Sequence, residues 1–375
     1  MATQKKDKLQ NSAQESPEDA MEAGEQLAAQ MDALEDKPPL YRDPRELPEE
    51  AWVEETVLAL ELMGVAEQQI AKLYSDAQEG KNLDPDPLTL SVSRISESLA
   101  RDQDALFSLS LLRTFDAEGF DHSINVSVYM LGLASSLELD TQKCNELGLA
   151  GMLHDVGKAR LPQQLIHKTG VLSASEVKSI RQHQRYSLEL LEHLTGPKQE
   201  VLSVAAQHHE RMDGTGYPNG LSGSQISTAG RMAAICDSFD ALTSNRSYRA
   251  ARTPRESLQE ILNEGRRGSL DGDLVQTFIR SIGIYPVGSL VKLADGHLGV
   301  VMRNHRSDLL HPTIRLIAKK QGDVYAPITP VRVDLADHSE SEGMRIVGNE
   351  TPAASRIDPC RFLPKSELYS RCREA

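Results

Sequence analysis

Aromatic residues make up only 4% of the chain, with one tryptophan, Trp52, among 375 residues. Aliphatic side chains must therefore fill any core. Cysteine is also sparse: Cys144, Cys236, Cys360 and Cys372 are scattered and form no Cys-x-x-Cys pair. That spacing argues against a zinc ribbon and a disulfide framework, and fits a reducing, cytoplasmic compartment. No apolar run reaches the roughly 18 residues that span a bilayer. Met1 to Leu9 is charged and lacks the apolar core of a signal peptide. An excess of basic charge is missing too. The net charge of −14 disfavours general nucleic-acid binding through the phosphate backbone. Residues 1–50 hold thirteen Asp/Glu against six Lys/Arg, so that stretch alone carries half of the net charge. The remainder is close enough to balance to admit a phosphate substrate, given metals or local basic groups.

What is present is hydrophobic periodicity, mostly of the helical kind. Residues 1–45 are acidic and polar and read as disordered, because they lack the apolar surface that would offset ordering entropy. A weak helical pattern from Glu18 to Leu34 would end at Pro38-Pro39. Residues 46–100 form a helical lead-in, with one helix over 50–79 and another from Leu88 to about Arg113. A sensory or partner-binding module is the alternative reading of this region. Over 101–284 helix follows helix: Asp121 to Leu137, Thr141 to Lys158, Ser173 to His193, Val201 to Met212, Ala229 to Ser244 and Pro254 to Arg266. The Ser173-Ala174-Ser175-Glu176 stretch matches a capping box. Composition then shifts to short β-branched, Gly-punctuated runs at 285–293, 296–302 and 313–318, which suggests a small antiparallel sheet or barrel over 285–335. Residues 336–375 read as a polar tail with a docking segment around Phe362-Leu363. The fold class expected is mainly α: a helical bundle with a helical lead-in and a small C-terminal β-rich module.

The chemistry concentrates in the helical run. His154-Asp155 and His208-His209 supply imidazole and carboxylate donors suited to Fe, Mn, Ni or Zn, and a carboxylate can bridge two ions. Either pair alone is weak, since a buried histidine is more often a hydrogen-bonded core residue. The context is stronger, because His122, His183 and Asp237 lie on other predicted helices, and helices that each bear one inward donor can converge on one centre. Glu118, four residues before His122, is either a further ligand or a solvated turn carboxylate; Gly119 weakens the helical assumption. Asp213-Gly214-Thr215-Gly216-Tyr217-Pro218 must be a structured loop. Its position just after two candidate ligands suggests a site rim rather than a plain helix stop. Lys158, Arg246 and Arg249 could meet phosphate oxygens or be ordinary surface charge.

Together these residues resemble the HD-GYP family, a branch of the HD phosphohydrolase superfamily. The resemblance covers residues 100–285, about half of the chain. It rests on the segments Asp121 to Val126, His154 to Pro162, Lys168 to Ser173, His183, His208 to Pro218, and Arg231 to Arg249. Thr169 stands where the family usually has proline, and Met212 where a bulky aromatic is frequent. Neither is a ligand, and no ligand is lost. The resemblance implies an all-helical cyclic di-GMP phosphodiesterase yielding pGpG and, in some members, GMP. It implies metal at His122, His154, Asp155, His183, His208, His209 and Asp237, with Asp155 bridging two ions. Glu118 would serve a third. It also implies phosphate contacts from Lys158, Arg246 and Arg249, and favours iron over manganese or nickel. The expected reaction is in-line attack of hydroxide on the phosphodiester, with Asp155 and Lys158 as catalytic residues. Alternatives are a cyclic GMP-AMP phosphodiesterase, or a non-catalytic receptor that docks a diguanylate cyclase through the loop at Gly216-Tyr217-Pro218. A homo-oligomer is compatible with each.

Overall fold

Trp52 lies buried near the start of the Glu49–Gln78 helix. The computed structural model describes residues 49–112, 120–168, 170–194, 198–244, 252–305, 308–339 and 341–363. The acidic segment 1–45, Glu118, Arg246 and Arg249 lie outside the described residues. One continuous core runs from Trp52 to Leu363 and is built mainly from Leu, Ile, Val, Ala and Met, as the shortage of aromatics requires. No helix among the described residues is long and apolar enough to cross a membrane.

The lead-in helix packs against the Asp86–Arg101 helix. Pro87 near its start presets φ, and Asp86 complements the N-terminal dipole. Leu88, Val92, Ile95 and Leu99 recur at helical spacing and are all buried. The single helix expected from Leu88 to Arg113 is two helices, Asp86–Arg101 and Gln103–Leu112. Asp102 makes the break. It is extended, with φ −155°, and its Oδ1 accepts the backbone N–H groups of Asp104 and Ala105. This is the alternative to helix that a short carboxylate offers the backbone.

Two other expected helices are interrupted as well. Thr141–Leu153, capped by Asp140, stops before His154 and gives way to a 3-10 turn over Val156–Arg160. There the chain runs against the His183–Leu191 helix, and Gly157 N donates to Ser187 Oγ at 2.9 Å. A Cβ at Gly157 would stand 2.0 Å from the His183 carbonyl oxygen, so only glycine allows the approach. The Ser173 to His193 expectation is Ala174–Ile180, entered through the Ser173/Glu176 capping box, followed by His183–Leu191. Phe120–Ser136, Lys198–Gln207, Thr228–Thr243, Pro254–Arg266 and Gly272–Ile282 complete the bundle around the site. The last of these lies inside the expected helical run but was not resolved as a separate helix by periodicity.

Among the described residues the β-rich region has five strands, β1 Leu290–Leu293, β2 His297–His305, β3 Asp308–Gln321, β4 Val324–Asp334 and β5 Ile346–Glu350. They form one antiparallel sheet in the order β4-β3-β2-β1-β5. The fifth strand falls in the segment read as a polar tail. Ile346 and Val347 followed by Gly348, Asn349 and Glu350 carry too little apolar signal, and pairing with β1 defines the strand. Cys360 and Leu363 are buried against the same core, so the segment around Phe362-Leu363 docks within this chain. The sheet is bolted to the helices. Arg303 Nη1 donates to Asp102 Oδ2 at 2.6 Å, its guanidinium lies 5.0 Å from the Trp52 ring, and Asn304 N donates to Asp104 Oδ2.

Candidate metal centre

The breaks in the helices put donors where regular helix would not. His122 comes from the first turn of Phe120–Ser136, and His154 and Asp155 from the exit of Thr141–Leu153. His183 opens its helix, His208 and His209 follow Lys198–Gln207, and Asp237 lies mid-way along Thr228–Thr243. Asp155 sits between them. Its Oδ2 is 3.2 Å from His154 Nε2 and 3.6 Å from His122 Nε2, and its Oδ1 is 3.3 Å from His183 Nε2 and 3.8 Å from His208 Nε2. Asp237 spans the other side, with Oδ1 3.3 Å from His122 Nε2 and Oδ2 3.6 Å from His209 Nδ1.

Among the described residues, three overlapping groups have ligand atoms within 4.8 Å of one another: His183 with His208 and His209; His122 with His154 and Asp237; and His154 with Asp155 and His208. His154 and His208 each belong to two groups, so the arrangement offers adjacent positions rather than one.

The tautomers fit cations there. His154 Nδ1 donates to Gly151 O at 2.7 Å, His183 Nδ1 to Ile180 O at 2.8 Å, and His208 Nδ1 to Val204 O at 2.9 Å. A carbonyl only accepts, so each Nδ1 carries the proton and each Nε2 turns a lone pair inward. The 3.2 Å approach of His154 Nε2 to Asp155 Oδ2 is thus not a hydrogen bond between neutral imidazole and carboxylate. His154 Nε2 and Asp155 Oδ1 are both buried without a hydrogen-bond partner. Lone pairs crowded into a largely buried pocket are the donor set that a divalent cation satisfies.

The electrostatics agree with the donor states. Burial, then the neighbouring His209 and His154, holds His208 well below its ordinary pKa; burial brings His209 down to about 3. Burial opposes ionisation of Asp155, but the Lys158 ammonium beside it prevails and keeps the carboxyl well below its usual range. Asp237 is likewise held low, against burial, by His122 and His209. His122 is the exception. Burial disfavours its cation, yet hydrogen bonds to Asp237 and Asp240 prevail and set its pKa at about 9.

The loop after His209 is held by side-chain and backbone contacts together. Glu210, buried and absent from the sequence-based candidates, accepts Asn219 N on Oε1 at 2.8 Å and Leu221 N on Oε2 at 3.0 Å. Gly216 passes so close that a Cβ would meet Arg211 N at 2.4 Å. Tyr217 N donates to His209 O, and its ring stacks on the His209 ring with centroids 4.7 Å apart. Asp213 Oδ1 accepts Thr215 N, and Gly214 takes a positive φ of 77°. Within the Asp213 to Pro218 segment, Tyr217 is the residue that lies against His209. Lys158 Nζ is paired with Asp155 Oδ2 in a close ion pair. Asp240, also missed, accepts from His122 Nδ1 at 2.7 Å and from Asn125 Nδ2 at 2.9 Å. Its spacing of three from Asp237, one helical turn along the same face, was the available signal.

Residues 93–274 match the family described as HD domain. A cyclic di-GMP phosphodiesterase of Pseudomonas aeruginosa is 36% identical over 304 residues, covering 81% of this chain and 72% of that protein. A 3'3'-cGAMP-specific phosphodiesterase 1 of Vibrio cholerae is 36% identical over 162 residues, 43% of this chain and 37% of that one. A cyclic di-GMP phosphodiesterase of Thermotoga maritima is 31% identical over 167 residues, 44% of this chain and 45% of that one. The Pseudomonas match extends well past both ends of the HD domain. The chain belongs to the HD-GYP family of HD-domain phosphohydrolases.

Proposed function

We propose that this protein is a metal-dependent phosphodiesterase that hydrolyses cyclic di-GMP to pGpG, with continuation to GMP open to test. The observation that carries the proposal is the central carboxylate of Asp155, within 3.8 Å of the Nε2 atoms of four histidines from four parts of the chain. Similarity to a cyclic di-GMP phosphodiesterase over 81% of the chain supports the substrate. The matches to cyclic GMP-AMP enzymes are confined to less than half of it.

His122, His154, Asp155, His183, His208, His209 and Asp237 would hold two divalent ions, iron by preference and manganese or nickel as alternatives, with Glu118 completing a third position. Such ions supply Lewis acidity at the phosphate and lower the pKa of water toward neutrality. The chain's own part is to hold the donors. Backbone carbonyls fix the ring orientations of His154, His183 and His208, and Asp155 and Asp237 stay ionised. Lys158 lies beside Asp155 with a partly exposed side chain, from which its ammonium would meet a phosphate oxygen. Arg246 and Arg249 would add fork-shaped donors. Tyr217 covers His209 and limits water at that edge.

A cytoplasmic location is part of the proposal, supported by the free thiols of Cys144, Cys236 and Cys360. Docking of a diguanylate cyclase would use the exposed Pro218 side of the Gly216-Tyr217-Pro218 loop, since the Tyr217 ring already meets the His209 ring and the Arg181 guanidinium, 4.2 Å from its centroid. The test of substrate is a side-by-side assay of cyclic di-GMP and cyclic GMP-AMP with product separation. Faster turnover of cyclic di-GMP supports the proposal; faster turnover of cyclic GMP-AMP, or of neither by metal-loaded protein, contradicts it.

A further inference from the structure

Among the inward-facing histidines, His122 is held differently. His154, His183 and His208 each donate Nδ1–H to a carbonyl three or four residues earlier. His122 lies in the first turn of a helix that begins at Phe120, so no earlier turn of that helix offers a carbonyl. The 2.7 Å partner of its Nδ1 is instead Asp240 Oδ2, on the neighbouring Thr228–Thr243 helix. Asp240 is 2% exposed, and its other oxygen accepts from Asn125 Nδ2 at 2.9 Å. Asn125 lies three residues after His122, so one helix supplies both the ring and the amide that fix the carboxylate. Asp237 and Asp240 thus take opposite sides of His122. Asp237 faces Nε2 within the cluster and Asp240 faces Nδ1 behind it.

We infer that Asp240 is a positioning residue for metal binding: it fixes the His122 ring with Nε2 as the donor atom and, as an anion, strengthens that donor beyond what the carbonyl-anchored histidines achieve. A carboxylate behind a ligating imidazole sets its tautomer and raises its basicity, and loss of such a partner costs about 10–100-fold in metal affinity or activity. The inference rests on the reading that the cluster holds metal, and adds a function for a residue outside the donor set.

Two variants separate charge from anchoring. Asp240→Ala removes the anchor. Asp240→Asn keeps it, because Asn125 Oδ1 has no hydrogen-bond partner. A half-turn of the Asn125 amide presents that oxygen to the new side chain's NH2, while the new carbonyl still accepts from His122. The experiment is titration of Mn²⁺ into the chelator-stripped full chain, read by the electron paramagnetic resonance signal of free Mn²⁺, beside the thermal midpoint of each metal-free protein. The expected result is about 10–100-fold weaker binding at one Mn²⁺ position in Asp240→Ala, an intermediate loss in Asp240→Asn, and a smaller drop in the metal-free midpoint for Asp240→Asn than for Asp240→Ala. Lowered midpoints with wild-type Mn²⁺ affinity in the folded variants would show a structural role only and overturn the inference. A wild-type chain that takes up no Mn²⁺ would overturn the metal reading and this inference together. Normal Mn²⁺ binding without cyclic di-GMP hydrolysis would count against the proposed substrate alone.

Discussion

Asp155 Oδ1 lies 3.3 Å from His183 Nε2, joining a residue at the end of one helix to the first residue of another. The contact exists because Gly157 lets the two segments touch, and it makes Asp155 the common neighbour of both sides of the cluster. Asp155→Ala should therefore lose metal and activity together. The loss should exceed the roughly 100-fold upper figure for an outer partner of a ligand. Metal content per chain and cyclic di-GMP turnover check it, and wild-type turnover would refute the assigned place of Asp155.

Metal uptake should release protons in a defined pH range. In the metal-free chain His122 holds its proton up to about pH 9, while His208 and His209 are already neutral. Binding at pH 7 must displace that proton, so about one proton per chain should appear and affinity should rise about tenfold per pH unit until near 9. The stability effect has the matching sign. A folded pKa raised from 6.5 to about 9 contributes stability that is complete below pH 6.5 and lost as pH rises through 9. Calorimetry in buffers of different ionisation enthalpy measures the proton count; no release at pH 7 would contradict it.

Glu210→Gln should loosen the loop without emptying the centre. Two backbone N–H groups need two acceptors, and the amide offers one acceptor and sets a donor against the other N–H, a penalty of about 1–3 kcal/mol. Hydrogen exchange over 217–222 should quicken and KM should rise more than kcat falls, with metal content unchanged. Unaltered exchange in that stretch would count against the pinning role.

Arg303→Ala should destabilise the whole chain rather than the sheet alone. The Asp102–Arg303 pair has side chains 5% and 4% exposed, and removing one partner of a buried pair costs about 3–5 kcal/mol. The expected readout is one lowered thermal transition. A separate early transition for the sheet would show that Asp102 does not couple it to the helices.

Much of the site was legible in the sequence because its donors are chemically distinctive and sit in short segments, such as His154-Asp155 and His208-His209. Helical periodicity also gave the mainly α class. What the sequence concealed were the places where tertiary contact overrides local preference. Asp102 reads as an ordinary polar residue in a helix until Arg303 and the two N–H groups it caps are in view. Residues 141–158 read as one helix because the steric demand at Gly157 comes from His183, 26 residues away in sequence. The fifth strand has too few apolar residues to announce itself without β1 beside it. Glu210 and Asp240 were missed because each acts on another group rather than pointing into the cluster.

The central claim is that the histidine and aspartate cluster binds the ions on which cyclic di-GMP hydrolysis depends. The most direct measurement is to purify the full chain without oxygen, count metals per chain, and follow cyclic di-GMP turnover before chelation, after chelation and after return of Fe²⁺ or Mn²⁺. The account predicts two or three ions per chain, loss of turnover on stripping, and recovery as the ions return. Turnover that survives complete removal of metal, or a fully loaded chain that leaves cyclic di-GMP intact, would contradict it.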